Sequence, residues 1–478
     1  MENIERQQQE GTSDNTRLEI KEGEDNKDVQ DKTDVEHYLS SRGLRISQFR
    51  SFNEIAFIQC LNDPFDKQRN PKGALNMGLS ENKICYDVIA ERVSKIIMGN
   101  MEPEALHYAD HQGIKSFREE IANFLTEQTA STNPVNADHV IVMNGCCSVF
   151  ATLATALFDP GDGYLIPTPS YCGVYPQMCK YADLRPVHVP LQSKAFSGEI
   201  HAFQLTIQKL EDALQIARVQ NIRVRALVLL NPNNPLGTIY SQELLLGCLQ
   251  FAHRLKLHVI IDEMYMLSIH DDTPFTSVLS LKEVPDPQRL HYIWGFSKDF
   301  AMGGFRCGVL FTMNKEVKTA VTQLAVFHQC PVLVQHILTQ LLFDKDWINC
   351  VYLVKNKKRL GESYRLMFNG LAALGVPVLK SSAGLFVWAD FRKFLSSPTF
   401  EAEEELWQSL VKAKVFISPG KSYGCCEPGW FRIVCSFPKE VISIGLQRLH
   451  QGLQAHSQEC GFPALQSKLN RRKWSITI

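Results

Sequence analysis

Six short apolar runs recur between residues 140 and 311 of this chain: Val140–Met143, Tyr164–Ile166, Ala226–Leu230, His258–Ile261, His291–Trp294 and Gly308–Phe311. Each has the length and composition of a buried strand, and helical patterns lie between several of them, notably over Ser148–Phe158, Thr206–Ala217 and Ser241–Leu255. Apolar runs alternating with helices define an α/β domain with a largely parallel sheet, because parallel strands need a crossover helix and are then buried on both faces. In such sheets a ligand binds outside the carboxyl ends of the strands, so the residues just after each run carry the functional information.

Composition narrows the setting. At 478 residues and 45% hydrophobic, the chain can bury a large core and is expected to divide into more than one domain. The segment 1–36 holds twelve acidic and five basic side chains against six large apolar ones, and is expected to be a disordered acidic tail. The remainder is read as an N-terminal arm with part of a small domain (37–105), a large domain (106–345), a C-terminal small domain (346–458) and a tail (459–478) carrying Arg471-Arg472-Lys473. A formal net charge of −1 gives no basic field to draw nucleic acid or an anionic membrane. No apolar run is long enough to cross a bilayer and the N-terminus lacks a signal-peptide pattern, so a cytoplasmic location is expected. The fourteen cysteines are scattered and read as free thiols. The adjacent pairs Cys146-Cys147 and Cys425-Cys426 lack the spacer of a zinc knuckle, and no metal is expected.

The residues at the ends of the runs form a set of groups suited to one ligand. After the first run, Asn144-Gly145-Cys146-Cys147-Ser148 is a glycine turn opening a helix, where free N–H groups and the positive dipole end favour a phosphate. The third run leads into Asn231-Pro232-Asn233-Asn234-Pro235, a rigid loop that places Asn234 to reach a phenolic oxygen. The fourth ends at Asp262, whose carboxylate is costly to bury without a cation, with Tyr265 one turn on. The fifth leads into Ser297-Lys298, and Arg306 stands eight positions after the lysine in a glycine-rich turn. An amine, a phosphate cradle with an arginine, an acid for a ring nitrogen and an amide for a ring oxygen are what pyridoxal 5′-phosphate requires.

These residues resemble the fold-type I pyridoxal-phosphate enzymes, and within them the 1-aminocyclopropane-1-carboxylate synthases, including the animal synthase-like members. Met77-Gly78-Leu79-Ser80-Glu81-Asn82 is similar to that family's MGLAEN, and Tyr108-Ala109-Asp110-His111-Gln112-Gly113 to its (F/Y)QDYHG. Ile166-Pro167-Thr168-Pro169, Asn233 to Thr238, Ala383 to Trp388 and Glu427 to Arg432 complete a likeness running from about residue 70 to about 455. The resemblance implies a large domain with a mostly parallel central sheet flanked by helices, a smaller α+β domain, and a homodimer acting on an amino acid. It implies that Lys298 carries the cofactor and takes the α-proton, and that Arg432 binds the substrate carboxylate as a bidentate fork. It also implies that Glu81 lies near the substrate and that Tyr171 stacks on the cofactor ring.

The chain departs from the family at several positions. His111 stands where the synthases have a tyrosine reaching the neighbouring subunit's cofactor, and Tyr108 is the candidate to serve as the corresponding tyrosine of ordinary aminotransferases does. Gly295 replaces a serine on the phosphate, Cys147 a threonine, and Ser170 the first of two aromatic residues. Each hydrogen bond to a charged group that is missing for this reason costs about 1.5–3 kcal/mol of cofactor affinity if nothing substitutes for it. Two readings are open at this point: an enzyme of aminotransferase type, with cyclopropane formation doubtful or absent, and a pseudoenzyme that keeps the fold and acts by binding other proteins.

Overall fold

The computed structural model describes residues 38–48, 52–96, 103–194 and 201–461; the acidic segment 1–36 and the run Arg471-Arg472-Lys473 lie outside them. The helix Ser41–Gln48 belongs to a unit of its own, Met1–Phe49, and buries none of its residues. The sheets and the cavity belong to the second unit, from Arg50 onward.

Thirteen strands are described, in chain order β1 (Leu75–Asn76), β2 (Val140–Met143), β3 (Gly163–Thr168), β4 (Arg185–Pro190), β5 (Val224–Leu230), β6 (His258–Asp262), β7 (Leu290–Gly295), β8 (Gly308–Thr312), β9 (Val378–Leu379), β10 (Phe386–Asp390), β11 (Val415–Phe416), β12 (Ser418–Pro419) and β13 (Trp430–Val434). Seven of them form one sheet in the order β2-β8-β7-β6-β5-β3-β4. The pairs from β7 through β4 are parallel, while β8 runs antiparallel to both of its neighbours. The sheet is therefore mostly parallel, as the sequence predicts, with one reversed strand. β9, β10, β12 and β13 make a separate antiparallel sheet, and β1 pairs with β11.

The strands read as continuous apolar runs because both faces are covered. Alternate residues enter different cores: Val140, Val142, Leu227, Leu229, Val259 and Ile261 pack in one, and Ile141, Met143, Val228, Leu230 and Ile260 in the other. The second core continues through Leu360, Met367, Phe386 and Phe431, so the small sheet shares packing with one face of the large one. Each fully buried side chain of this kind contributes roughly 1.5–3 kcal/mol.

All six expected runs are strands. The strand of the large sheet that the sequence reading misses is β4, whose Arg185-Pro-Val-His-Val-Pro190 alternates exposed and buried residues at the sheet edge, where one partner suffices and proline is tolerated; the strands β1 and β9 to β13 are not among the expected runs either. The helices begin close to their expected starts and each start has a local cause. Thr206 accepts from the Lys209 N–H at 3.3 Å and Ser241 from the Leu244 N–H at 3.2 Å, capping Ile207–Val219 and Gln242–Arg254. The helix Cys146–Leu157 differs: its N-cap is Gly145, at φ 105°, with no side-chain cap. The Ser148 N–H donates to the Gly145 carbonyl at 3.1 Å, and the N–H groups of Cys146 and Cys147 are left for another acceptor.

A polar chain runs through the large sheet. His258 Nδ1 lies 2.9 Å from His291 Nε2, and His291 Nδ1 lies 2.9 Å from the Thr312 hydroxyl. Burial holds both imidazoles neutral, lowering His258 to about 4 and His291 to about 3. Their folded values lie below the unfolded one, so their contribution to stability is complete above about pH 6.5 and is lost as pH falls through the folded values. Relative to His291→Gln, the wild-type unfolding free energy from urea denaturation is expected to fall between pH 7 and pH 4.5 by on the order of 2 kcal/mol, lowering the urea midpoint with it. Parallel midpoints at all pH values would contradict this.

Candidate active site at the strand ends

A cavity of about 440 Å³ opens where β5, β6 and β7 end, bounded also by the loop Gly78–Glu81, the start of the Cys146–Leu157 helix and the small sheet at Ser418 and Arg432. Volumes of this order suit a small ligand. Of the residues singled out from sequence, Cys146, Cys147, Tyr171, Asn234, Asp262, Tyr265, Ser297, Lys298, Arg306, Glu81 and Arg432 all line it. Gly145 adjoins it as the helix N-cap. Tyr108 is not among the lining residues: it is fully exposed, on a surface segment where His111 is exposed as well. Within one chain, therefore, nothing brings Tyr108 to the cavity.

Lys298 sits on a short helical turn, Phe296–Asp299, directly after β7. The turn is held from several sides. Asp299 accepts from the Ser268 hydroxyl at 2.7 Å, from Trp294 Nε1 at 3.1 Å and from the Leu267 N–H at 3.2 Å, while Tyr352 donates to its carbonyl at 2.5 Å. Phe296 and Phe300 pack with Trp294 and Phe124 beneath it. Lys298 Nζ donates to the Ser80 carbonyl. Burial, with the charge of Arg432 adding to it, lowers the amine to about 8, so an appreciable fraction is an uncharged nucleophile near neutrality.

Asp262 closes β6 and accepts from the Met264 N–H at 2.9 Å. Burial raises its carboxyl to about 7, with that N–H and the Lys298 charge pulling the other way. A cation placed against it would restore the carboxylate. Tyr265 shares a 3.0 Å hydrogen bond with the Ser80 hydroxyl, so Ser80 joins the lysine and the tyrosine through its two oxygens. Ser80 does not stand out within the Met77–Asn82 motif of the sequence, because neither of its contacts is local in the chain.

Arg432 lies on β13 opposite Trp388 and Ser418, and is buried. Nη1 donates to Asn234 Oδ1 at 3.0 Å and Nη2 to the Gly78 carbonyl, while Nε, also buried, has no partner among the described residues. Its guanidinium lies 5.1 Å from the ring centroids of both Phe386 and Tyr423. A buried cation held by neutral acceptors and ring faces rather than by a carboxylate is equipped to take one from a ligand. Glu81, by contrast, is paired with Lys83 at 3.0 Å and is half exposed.

The remaining corner is built on close approach. A Cβ on Gly308 would lie 2.4 Å from both the Cys146 nitrogen and the Gly145 carbonyl carbon. One on Gly145 would lie 2.5 Å from Arg306 Nη2, which places the guanidinium beside the uncapped helix start. Arg306 itself has φ 53°, and its Nη1 donates to the Gly303 carbonyl at 3.0 Å. Cys146 turns its thiol away, donating to the Trp294 carbonyl at 3.2 Å. Cys147 is exposed and accepts from Gln177 Nε2 at 3.1 Å, a contact the sequence did not signal. Two positive elements converging here, a helix N-terminus and an arginine, make an anion site.

The architecture is shared with solved enzymes. Aspartate aminotransferase of Thermus thermophilus, as a double mutant, superposes with a TM-score of 0.71 at 20% identity, covering 87% of this chain and 100% of that one. The aromatic aminotransferase of Pyrococcus horikoshii does so at 0.67 and 23%, covering 82% and 98%. These likenesses define the fold, that of the fold-type I transferases. The chain belongs to the aminotransferase class I and II family, whose model matches residues 76–449. It is 44% identical over 422 residues to human 1-aminocyclopropane-1-carboxylate synthase-like protein 1, covering 88% of this chain and 84% of that protein. It is 42% identical over 427 residues to the human protein named Probable inactive 1-aminocyclopropane-1-carboxylate synthase-like protein 2, covering 89% and 75%. To 1-aminocyclopropane-1-carboxylate synthase 8 of Arabidopsis thaliana it is 34% identical over 409 residues, covering 81% and 84%. Among the described residues no helix is long and apolar enough to cross a membrane.

The glycine contacts have a direct consequence for stability. Gly308→Ala is expected to lower the unfolding free energy by ~1–3 kcal/mol, through overpacking against the Gly145–Cys146 peptide. Gly304→Ala, where an added Cβ meets nothing within 4 Å, is expected to leave it unchanged. Urea denaturation of the two variants checks both.

Proposed function

We propose that the cavity binds pyridoxal 5′-phosphate and an α-amino acid, and that the chain works as a cytoplasmic homodimer with aminotransferase-type chemistry in amino acid metabolism. The observation that carries this reading is the set of a part-buried amine, Lys298, with a buried acid and guanidinium, Asp262 and Arg432, none of which forms a salt bridge among the described residues. The residues fit the cofactor. Arg306 and the uncapped N–H groups of Cys146 and Cys147 would take the phosphate. Asp262 would face the ring nitrogen, Asn234 and Tyr265 the ring oxygen, and Tyr171 the ring face. Bound there, the cofactor would supply an electron sink for a carbanion at the substrate α-carbon.

The chain's own groups do the rest. Lys298 Nζ, lowered to about 8, would hold the cofactor and, as a free amine, would take up the substrate α-proton. Arg432 orients the substrate by its carboxylate, exchanging the Gly78 carbonyl or Asn234 for a charged acceptor. The Ser80 carbonyl holds the lysine on the small-domain side of the cavity. Cyclopropane formation is not expected, since His111 replaces the tyrosine that in the synthases reaches the neighbouring subunit's cofactor.

A second reading, a pseudoenzyme that keeps the fold as a binding protein, is favoured by one observation. At Gly295 a Cβ would lie 2.7 Å from the Cys307 carbonyl oxygen and 3.0 Å from Cys146 Sγ, so the serine of the synthases has no room. The first reading expects the purified protein mixed with pyridoxal phosphate to develop a visible absorption band that borohydride abolishes and Lys298→Ala lacks. Formation of the band should accelerate as pH rises through about 8, because only the uncharged amine attacks. Keto acid release from some amino acid, absent in Lys298→Ala, separates enzyme from pseudoenzyme. Arg432→Gln should keep the band and weaken amino acid binding by roughly 10–100-fold. No band at saturating cofactor would end the cofactor claim.

A further inference from the structure

Resting on the reading that this cavity holds pyridoxal phosphate, we infer that Ser80 is a positioning residue: its hydroxyl aims the Tyr265 proton at the ring oxygen of the cofactor and so makes the attached lysine nitrogen a weaker base. The Ser80 hydroxyl lies 3.0 Å from that of Tyr265, and the Ser80 carbonyl accepts from Lys298 Nζ. Where the similar MGLAEN motif has alanine, this chain has the hydroxyl. A phenol has one proton to donate. The ring oxygen of a lysine-bound cofactor carries negative charge, so Tyr265 gives its proton there and offers Ser80 a lone pair. Ser80 is then the donor of the 3.0 Å bond. Its donation polarises the tyrosine, which becomes a stronger donor in turn, as in any hydrogen-bonded chain in a low-dielectric interior. The ring oxygen gives up part of its charge, and the lysine nitrogen, which shares a proton with that oxygen, binds the proton less tightly.

The loop that carries Ser80 is built to hold it still. On one side Asn76 Oδ1 accepts from the Gly78 and Leu79 N–H groups at 2.9 and 3.0 Å. On the other the Ser436 hydroxyl donates to the Glu81 carbonyl at 2.6 Å, and Asn82 Nδ2 to Asn356 Oδ1 at 2.8 Å. The Tyr265 ring is fixed edge-on against Phe386, with centroids 5.4 Å apart. Ser80 and Tyr265 are both buried and belong to one chain, so a second subunit closing over the cavity would leave their contact in place. Burial raises Tyr265 to about 12, which keeps it a phenol near neutrality. The charged and titratable groups facing Lys298 and Tyr265 are Asp262 at the end of β6, Asp299 in the lysine turn, Glu81, Arg432 on β13, and Cys147 with Arg306 in the phosphate corner. The phenols of Tyr171 and Tyr423 also lie near, and burial raises both, so they stay neutral. All of these groups are retained when the Ser80 hydroxyl is removed, and their effect cancels between variants.

The test reads the proton on the lysine nitrogen directly. The full-length protein is saturated with pyridoxal phosphate, and the pH midpoint of the colour change of its visible band is measured from about pH 5 to about pH 10. Ser80→Ala is expected to raise the midpoint by about 0.5 unit, a roughly threefold tighter hold on the proton, and Tyr265→Phe to raise it further. In the Tyr265→Phe background Ser80→Ala is expected to add nothing, and Ser80→Thr, which keeps the hydroxyl, is expected to match wild type. A loss of packing alone would not move the midpoint in one background and spare it in the other. Ser80→Ala adds no atom to a buried site and should fold, which a thermal melt verifies. A Ser80→Ala midpoint equal to that of wild type, or the same shift with and without the Tyr265 hydroxyl, overturns the role of Ser80 while cofactor binding stands. Where Tyr265→Phe takes up no cofactor, Ser80→Thr decides, and a midpoint shifted as far as that of Ser80→Ala overturns it. If wild type forms no band, the reading beneath fails instead.

Discussion

The Gly145–Cys146 peptide lies against Gly308 with no room for a methyl group between them, and the geometry of the whole cavity depends on that contact. It presses the start of a twelve-residue helix onto the end of the sheet. Arg306, two residues before Gly308, is thereby set against the helix N-terminus, so that a dipole end and a guanidinium converge. Gly295, paired with Gly308 across β7 and β8, is the second half of the arrangement. Cys146 Sγ and the Cys307 carbonyl occupy the space that a side chain at 295 would need. The corner is closed by backbone, and an anion placed there would be held by N–H groups and one arginine rather than by a serine hydroxyl at 295.

Around that corner the fold holds ionisable groups out of water without pairing them with one another. Asp262 is raised to about 7 and Lys298 lowered to about 8, in each case chiefly by burial. Arg432 stays charged among aromatic rings and neutral acceptors. Glu263, next to Asp262, is raised to about 8 as well, but the Ser277 hydroxyl and the Val278 N–H satisfy it, which marks it as a structural acid. The distinction matters because buried ionisable groups with unmet demand are where a complementary ligand gains most. The rigid support of the lysine turn, through Asp299 and Tyr352, keeps that demand aimed into one cavity.

Much of the architecture was legible in the chain because it is local. Strands buried on both faces must be apolar at successive positions, and all six such runs are strands of the large sheet. Thr206 and Ser241 announce their helices because a hydroxyl at an N-cap satisfies a nearby N–H. β4 was not legible, since an edge strand needs only one apolar face and its prolines read as a break. The reversal of β8 was hidden for a related reason: the same apolar pattern serves a parallel or an antiparallel strand, and only pairing with β2 and β7 decides.

The sequence by itself determined which groups stand at the strand ends, because order along the chain and the carboxyl-end rule of parallel sheets are enough to gather Asn234, Asp262 and Lys298 on one side. Only the tertiary structure decided what surrounds them. Ser80 reaches Lys298 and Tyr265 across 218 and 185 residues of chain, and Arg432 reaches Asn234 across 198. Tyr108 and His111, close in sequence to the glycine turn at Gly113, lie instead on the surface. Whether Gly295 is a gap or a filled position also waited on the fold. A missing side chain leaves space only if neighbouring chain does not close over it, and here Cys146 and Cys307 do.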